Sequence, residues 1–91
     1  MNRKYRKTVI AGNWKMNMLP SAVKPFMEEL KGYLPKTRVC DVVLCAPAIM
    51  VPALIKAGKD CKIAAGAQDV SKYEKGAYTG EISASQLADA G

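Results

Sequence analysis

The sequence contains no histidine. For chemistry supplied by these residues alone, that absence excludes a Ser-His-Asp triad, a Cys-His nucleophile, a histidine-ligated metal and any imidazole acid or base. What remains for chemistry is Lys, Asn, Glu, Asp and Cys. Cysteine is sparse as well: Cys40, Cys45 and Cys61 form an odd set with no C-x-x-C spacing. Neither a disulfide framework nor a metal site is indicated, and reduced thiols in a cytoplasmic protein are expected. Long hydrophobic runs are missing too. The charged N-terminus is followed only by the short apolar run Thr8–Gly12, far below the roughly 18 residues of a membrane span, so no export or membrane signal is visible.

The 91 residues, 49% hydrophobic and 24% charged, suit one small globular domain with little reserve of core. The net charge of +6 invites a nucleic-acid reading, but Arg3, Lys4, Arg6 and Lys7 supply four of those charges and leave two for residues 8–91. Residues 1–7 therefore read as a solvated basic lead-in and residues 8–91 as the domain. A nucleic-acid or anionic-lipid arm is the competing reading, and the single interleaved Tyr5 makes no stacking platform for it.

Along the chain, Thr8–Asn13 is a short β-branched run ending in Gly and Asn, as expected of a strand buried on both faces. Leu19, Val23, Phe26, Met27, Leu30 and Leu34 recur at helical intervals. Pro25 predicts that this helix either begins near Pro25 or carries a distorted first turn, and Gly32 and Pro35 mark its end. Val39–Ala46 is a second buried strand stopped by Pro47. Ile49–Ala57 is a short apolar helix with Gly58 expected just past its end, in the left-handed position. Lys62–Ala67 is a third strand. Gln68–Gly80 reads as a long polar loop of functional length, and Ser83 with Gln86 has capping-box spacing before Leu87–Ala90. The order β-α-β-α-β-loop-α predicts an α/β fold with parallel strands, yet three parallel strands do not close a sheet and leave edges uncovered.

Two places gather reactive side chains where strands end, which is where ligands bind in α/β sheets and barrels. Asn13 and Lys15 would set an amide beside an ammonium, suited to an anionic substrate with a developing oxyanion. The generic alternative for Lys15 is a solvated loop charge. The second place is Gln68–Ser71 with Gly76–Glu81, either a contact arm or a polar surface loop.

Four strings in order, Ala11–Asn17 (AGNWKMN), Cys45–Pro47 (CAP), Gly66–Ser71 (GAQDVS) and Gly76–Ser83 (GAYTGEIS), closely resemble the N-terminal third of the triosephosphate isomerase family. The resemblance spans Thr8 to Gly91. It implies an eight-stranded TIM (β/α)8 barrel, incomplete in this chain, which would hold three β/α units and part of the next connection. It implies a cofactor-free and metal-free isomerase of glycolysis and gluconeogenesis, acting on a triose phosphate as a cytoplasmic homodimer, with no nucleic-acid or membrane partner. Asn13 matches a residue lining the substrate pocket. Lys15 matches the catalytic lysine that neutralises the substrate phosphate and the enediolate. Thr79 matches the tip of a loop that enters the partner subunit, and Met16, Asn17, Gln68 and Glu81 match positions in or near that dimer contact. Ala48 departs from the second proline that many relatives carry there.

Triosephosphate isomerase is the standard example of a glutamate base working with a neutral histidine under a closing lid. The resemblance places all three beyond Gly91, while Glu74 and Glu81 match loop and structural positions. The isolated chain is therefore expected to lack activity. Two other readings stand beside this one: an inactive sector that self-associates or complements a barrel, and a basic nucleic-acid-binding module.

Overall fold

The computed structural model describes residues 6–37 and 40–91. Arg3, Lys4 and Tyr5 of the basic lead-in, and Val39 at the expected start of the second strand, lie outside them. Strand β1 (Thr8–Asn13), helix α1 (Pro20–Lys31), strand β2 (Cys40–Ala46), a 3-10 turn (Ala48–Met50), helix α2 (Val51–Gly58), strand β3 (Ile63–Ala67) and helix α3 (Ala84–Ala90) follow in order. The strands pair in parallel as β1-β2-β3, aligning Asn13 with Cys45 and Cys45 with Gly66. This is the expected α/β class, as an open three-stranded sector.

Side chains alternate across a strand, so this register sorts residues onto two faces. Leu44 and Ala46 of β2 and Ile63 of β3 meet Val23 and Met27 of α1 and Leu54 of α2 in one buried cluster. Both long helices thus cover the same face. The opposite face carries Val9, Ala11, Asn13, Val43, Cys45, Ala64 and Gly66, and no described element packs over it. The expectation that β1 is buried on both faces is corrected here: Val9 is 55% and Ile10 57% exposed.

Helix α1 starts at Pro20, in the first helical turn where its missing N–H costs nothing, and continues past Pro25 to Lys31. Both expected alternatives are corrected: the helix starts five residues before Pro25, and Pro25 lies inside it, past the first turn. An interior proline costs about 3 kcal/mol. Val23 and Met27, both wholly buried on either side of it, each contribute about 1.5–3 kcal/mol, enough to offset that loss. Pro25 and Ser21 lie on the wet side, so water can bond the Ser21 carbonyl that loses its helical donor.

Gly58 also departs from expectation. It is the last residue of α2 rather than a left-handed residue beyond it. A Cβ there would clash with the Ile63 carbonyl oxygen, so glycine is required by the close approach of α2 to β3. The capping box is present in full: Gln86 N–H donates to Ser83 Oγ at 3.1 Å and Ser83 N–H to Gln86 Oε1 at 2.9 Å.

Candidate active site

The ends of β1, β2 and β3 converge on the segment that follows Asn13. Trp14 N–H extends the sheet by one bond, donating to the Cys45 carbonyl at 2.9 Å. The Trp14 ring packs edge-on against Phe26 of α1 at 5.3 Å and lies against the core cluster. Anchored there, the segment carries Asn13 and Lys15 on either side of a fixed ring.

Lys15 has φ 55, a left-handed conformation that costs a non-glycine residue on the order of 1–2 kcal/mol. Hydrogen bonds hold it at both ends. Its N–H donates to Asn13 Oδ1 at 2.9 Å, and its carbonyl accepts from Gln68 Nε2 at 2.9 Å. Gln68 Nε2 also donates to Asn13 Oδ1 at 3.1 Å, with the Cys45 carbonyl a more distant acceptor at 3.4 Å. With Oδ1 of Asn13 accepting twice, its Nδ2 is the amide end left to donate outward. Asn17 Nδ2 closes the loop by donating to the Trp14 carbonyl at 2.9 Å. Lys15 is exposed, and among the described residues no carboxylate lies within ion-pair distance of its ammonium. The arrangement presents a cation and an amide donor together, a pair that can receive a phosphate and a developing oxyanion.

The second group lies in the loop after β3. Ser71 N–H donates to the Ile82 carbonyl at 2.8 Å and closes the loop at its base. Within it, Tyr73 and Tyr78 stack at 4.1 Å, and Lys72 sits 5.0 Å from the Tyr73 ring centre. Thr79 occupies a tight turn in which Glu81 N–H donates to the Tyr78 carbonyl at 3.0 Å. Gly80, with φ 89, takes the left-handed position that a type II turn demands. A recess of about 210 Å³ lies between Gln68, Gly80 and Glu81, joining this turn to the strand ends.

The seven residues singled out by resemblance thus fall into parts of one end of the sheet. Asn13, Lys15 and Gln68 are brought into direct contact. Asn17 bonds next to them, Thr79 and Glu81 share the loop turn, and Met16 projects into solvent at 94% exposure. Glu74 is exposed within the loop, and no hydrogen bond joins it to Asn13 or Lys15 among the described residues. A larger recess, about 430 Å³, lies at the opposite end of the strands, beside Lys7, Cys40 and Lys62. Ligand sites of parallel β/α units belong at the C-terminal strand ends, so its size does not make it the site.

Gln68 bonding within the chain is the part that residue patterns did not disclose. The available signal was its position directly after β3, on the same alternation as Gly66. A family model described as triosephosphate isomerase matches residues 8–91.

Proposed function

Because the chain belongs to the triosephosphate isomerase family, we propose that it is the N-terminal sector of an isomerase interconverting dihydroxyacetone phosphate and glyceraldehyde 3-phosphate. The observation that carries this reading is the Asn13–Lys15 pair at the strand ends, with the left-handed lysine bonded at both backbone ends. The reaction moves a proton between adjacent carbons through an enediolate, so negative charge develops on oxygen beside a phosphate that is already anionic. Lys15 supplies the cation that offsets both charges, and Asn13 Nδ2 supplies a neutral donor.

Surroundings decide how much that cation contributes. Two unit charges 4 Å apart interact by about 1 kcal/mol in water and about 4 kcal/mol at an effective dielectric near 20. Lys15 is exposed in this open sheet, so the stronger value requires the rest of a barrel to exclude water. The chain also contains no histidine to polarise a carbonyl. The bare inner face of the sheet supports the sector reading, since parallel sheets are covered on both faces in folded proteins. We further propose a cytoplasmic homodimer in which Thr79 reaches the partner subunit, with Met16, Asn17, Gln68 and Glu81 around that contact.

A coupled assay of triose phosphate interconversion tests the reading. The full-length protein containing this sequence is expected to turn over substrate without added metal or cofactor. The isolated 91-residue chain is expected to stay at the buffer background and to elute from gel filtration larger than a monomer, because its apolar face and strand edges are uncovered. An inactive full-length protein, or an active isolated chain, contradicts the reading.

A further inference from the structure

We propose that Cys40 and Cys61 form a dithiol site that an anionic small-molecule disulfide, such as oxidised glutathione, closes into an intramolecular disulfide. The site lies at the opposite end of the strands from Lys15, and it does not depend on the isomerase reading. Cysteine spacing in the sequence indicates no disulfide framework, yet the fold brings two of the three cysteines to one recess. Val42 pairs with Ile63, and Cys40 and Cys61 stand two residues before them. Continued outward, that register sets Cys40 level with Cys61. Adjacent strands are about 4.7–4.9 Å apart, inside the roughly 4.4–6.8 Å of Cα separation that a disulfide spans. The two also share one side of the sheet: Cys40 continues the alternate row of Val42, Leu44 and Ala46 that faces the helices, and Cys61 packs against the same core cluster. Both line the recess of about 430 Å³. Cys45 belongs to the other row, beside Gly66 on the bare face, with the sheet between it and them.

The surroundings of the two thiols give them different parts. Cys61 S–H is directed at the Gly58 and Ala57 carbonyls, 3.6 and 3.9 Å from sulfur, in the turn that follows α2. Cys40 opens β2 at the mouth of the recess. Its thiolate attacks one sulfur of the external disulfide, forming a mixed disulfide and releasing one thiolate. Cys61 then gives its proton to water and attacks the Cys40 sulfur, forming the Cys40–Cys61 bond and releasing the second external thiolate. Two electrons leave the protein and reduce one external disulfide to two thiols. The backbone accommodates closure because Lys62, at φ 57, turns Cys61 out of the strand ladder, so a turn moves rather than a strand. Charge selects the oxidant. Lys7, Lys31, Lys36 and Lys62 line the recess against only Asp41 and Asp60. Lys7 bonds Asp41 and Lys31 bonds Asp60, which leaves Lys36 and Lys62 without an ion pair among the described residues. An oxidant that carries carboxylates is drawn to that excess, and an uncharged one is not.

The test treats the full-length protein, carrying Cys45→Ser, with oxidised glutathione or with uncharged hydroxyethyl disulfide, then alkylates the remaining thiols and maps tryptic peptides by mass. With Cys45 replaced, the tryptic segment 39–56 holds one cysteine and the segment 60–62 another. The two segments are expected to be joined, about 2 Da lighter than their reduced sum, and to separate again with dithiothreitol. Adding Cys61→Ser is expected to stop the reaction at a glutathione adduct on Cys40. Adding Cys40→Ser is expected to slow the loss of the Cys61 thiol at least about tenfold. Lys36→Gln with Lys62→Asn, an asparagine that tolerates the left-handed conformation, is expected to slow closure by oxidised glutathione about threefold or more at low salt and to leave closure by hydroxyethyl disulfide unchanged. A Cys40 adduct that never resolves in the presence of Cys61, or a Cys61 joined to any other cysteine, overturns the proposal. Closure by oxidised glutathione at the parent rate in the lysine variant overturns the anionic oxidant. If that variant fails to fold, closure of the parent by oxidised glutathione that does not slow with added salt overturns it instead. A full-length protein without isomerase turnover would leave each of these outcomes readable.

Discussion

Lys31 and Asp60 show how far a single charge pair reaches in this molecule. The Lys31 ammonium bonds Asp60, with its closest oxygen at 2.9 Å, and Glu28 at 3.2 Å, tying the end of α1 to the turn between α2 and β3. Its hydrogen bond to Asp60, against a partial desolvation cost, lifts Lys31 above its ordinary 10.5. The same bond holds the Asp60 carboxyl below 3.8. A depressed carboxylate stabilises the fold above its unfolded value and loses that contribution as pH falls through the folded value. A raised lysine contributes below 10.5 and loses it as pH rises through the folded value. The pair therefore operates from above about pH 4 to about pH 10. The Asp60 side chain is 73% exposed, so screening keeps the contribution small. Asp60→Asn is expected to lower the Tm slightly at pH 7, with the difference from the parent shrinking as pH falls below 3.8; a difference that does not shrink with acidification contradicts the pairing.

At the scale of elements, what could be read from the sequence follows how local its cause is. The bounds of β1 and the capping box of α3 were legible because each depends on residues within a few positions of one another. Pro25 misled because the local penalty is real, yet two buried neighbours outweigh it, and burial is decided by elements far along the chain. Gly58 has the composition of a helix stop but serves an approach to β3, which no helix pattern encodes. Gln68, directly after β3, bonds to Asn13 and Lys15 at the end of β1 and more distantly to Cys45 of β2, which becomes visible only once the register is known. Asn13 and Lys15 were legible as a pair from their spacing and resemblance, whereas the left-handed φ of Lys15 was not. Gly58→Ala is expected to destabilise the fold by about 1–3 kcal/mol in denaturant unfolding, because the new methyl meets backbone rather than a side chain that can turn away. An unchanged midpoint would show that α2 can slide from β3 without loss.

At the scale of the whole molecule, the sheet is a sector. Its radius of gyration is 14.6 Å, against about 12 Å for a compact domain of this length. One face is packed by α1 and α2, while the other leaves apolar side chains and Asn13 open to solvent. The proposed dimer belongs at this scale too. Thr79 lies on an exposed turn held by backbone bonds, so a change there alters the surface without disturbing a core. Thr79→Arg is expected to raise the dimer dissociation constant of the full-length protein by tenfold or more, on the order of 1.4 kcal/mol, as read by sedimentation. An unchanged constant would place the subunit contact elsewhere.

The role proposed for Lys15, a cation offsetting the phosphate and the enediolate, is read from kcat/KM for triose phosphate interconversion by the full-length Lys15→Ala protein. That role requires a loss of at least about 100- to 1,000-fold with the circular dichroism and Tm of the parent retained. Parent-like kcat/KM in a folded Lys15→Ala protein would contradict it.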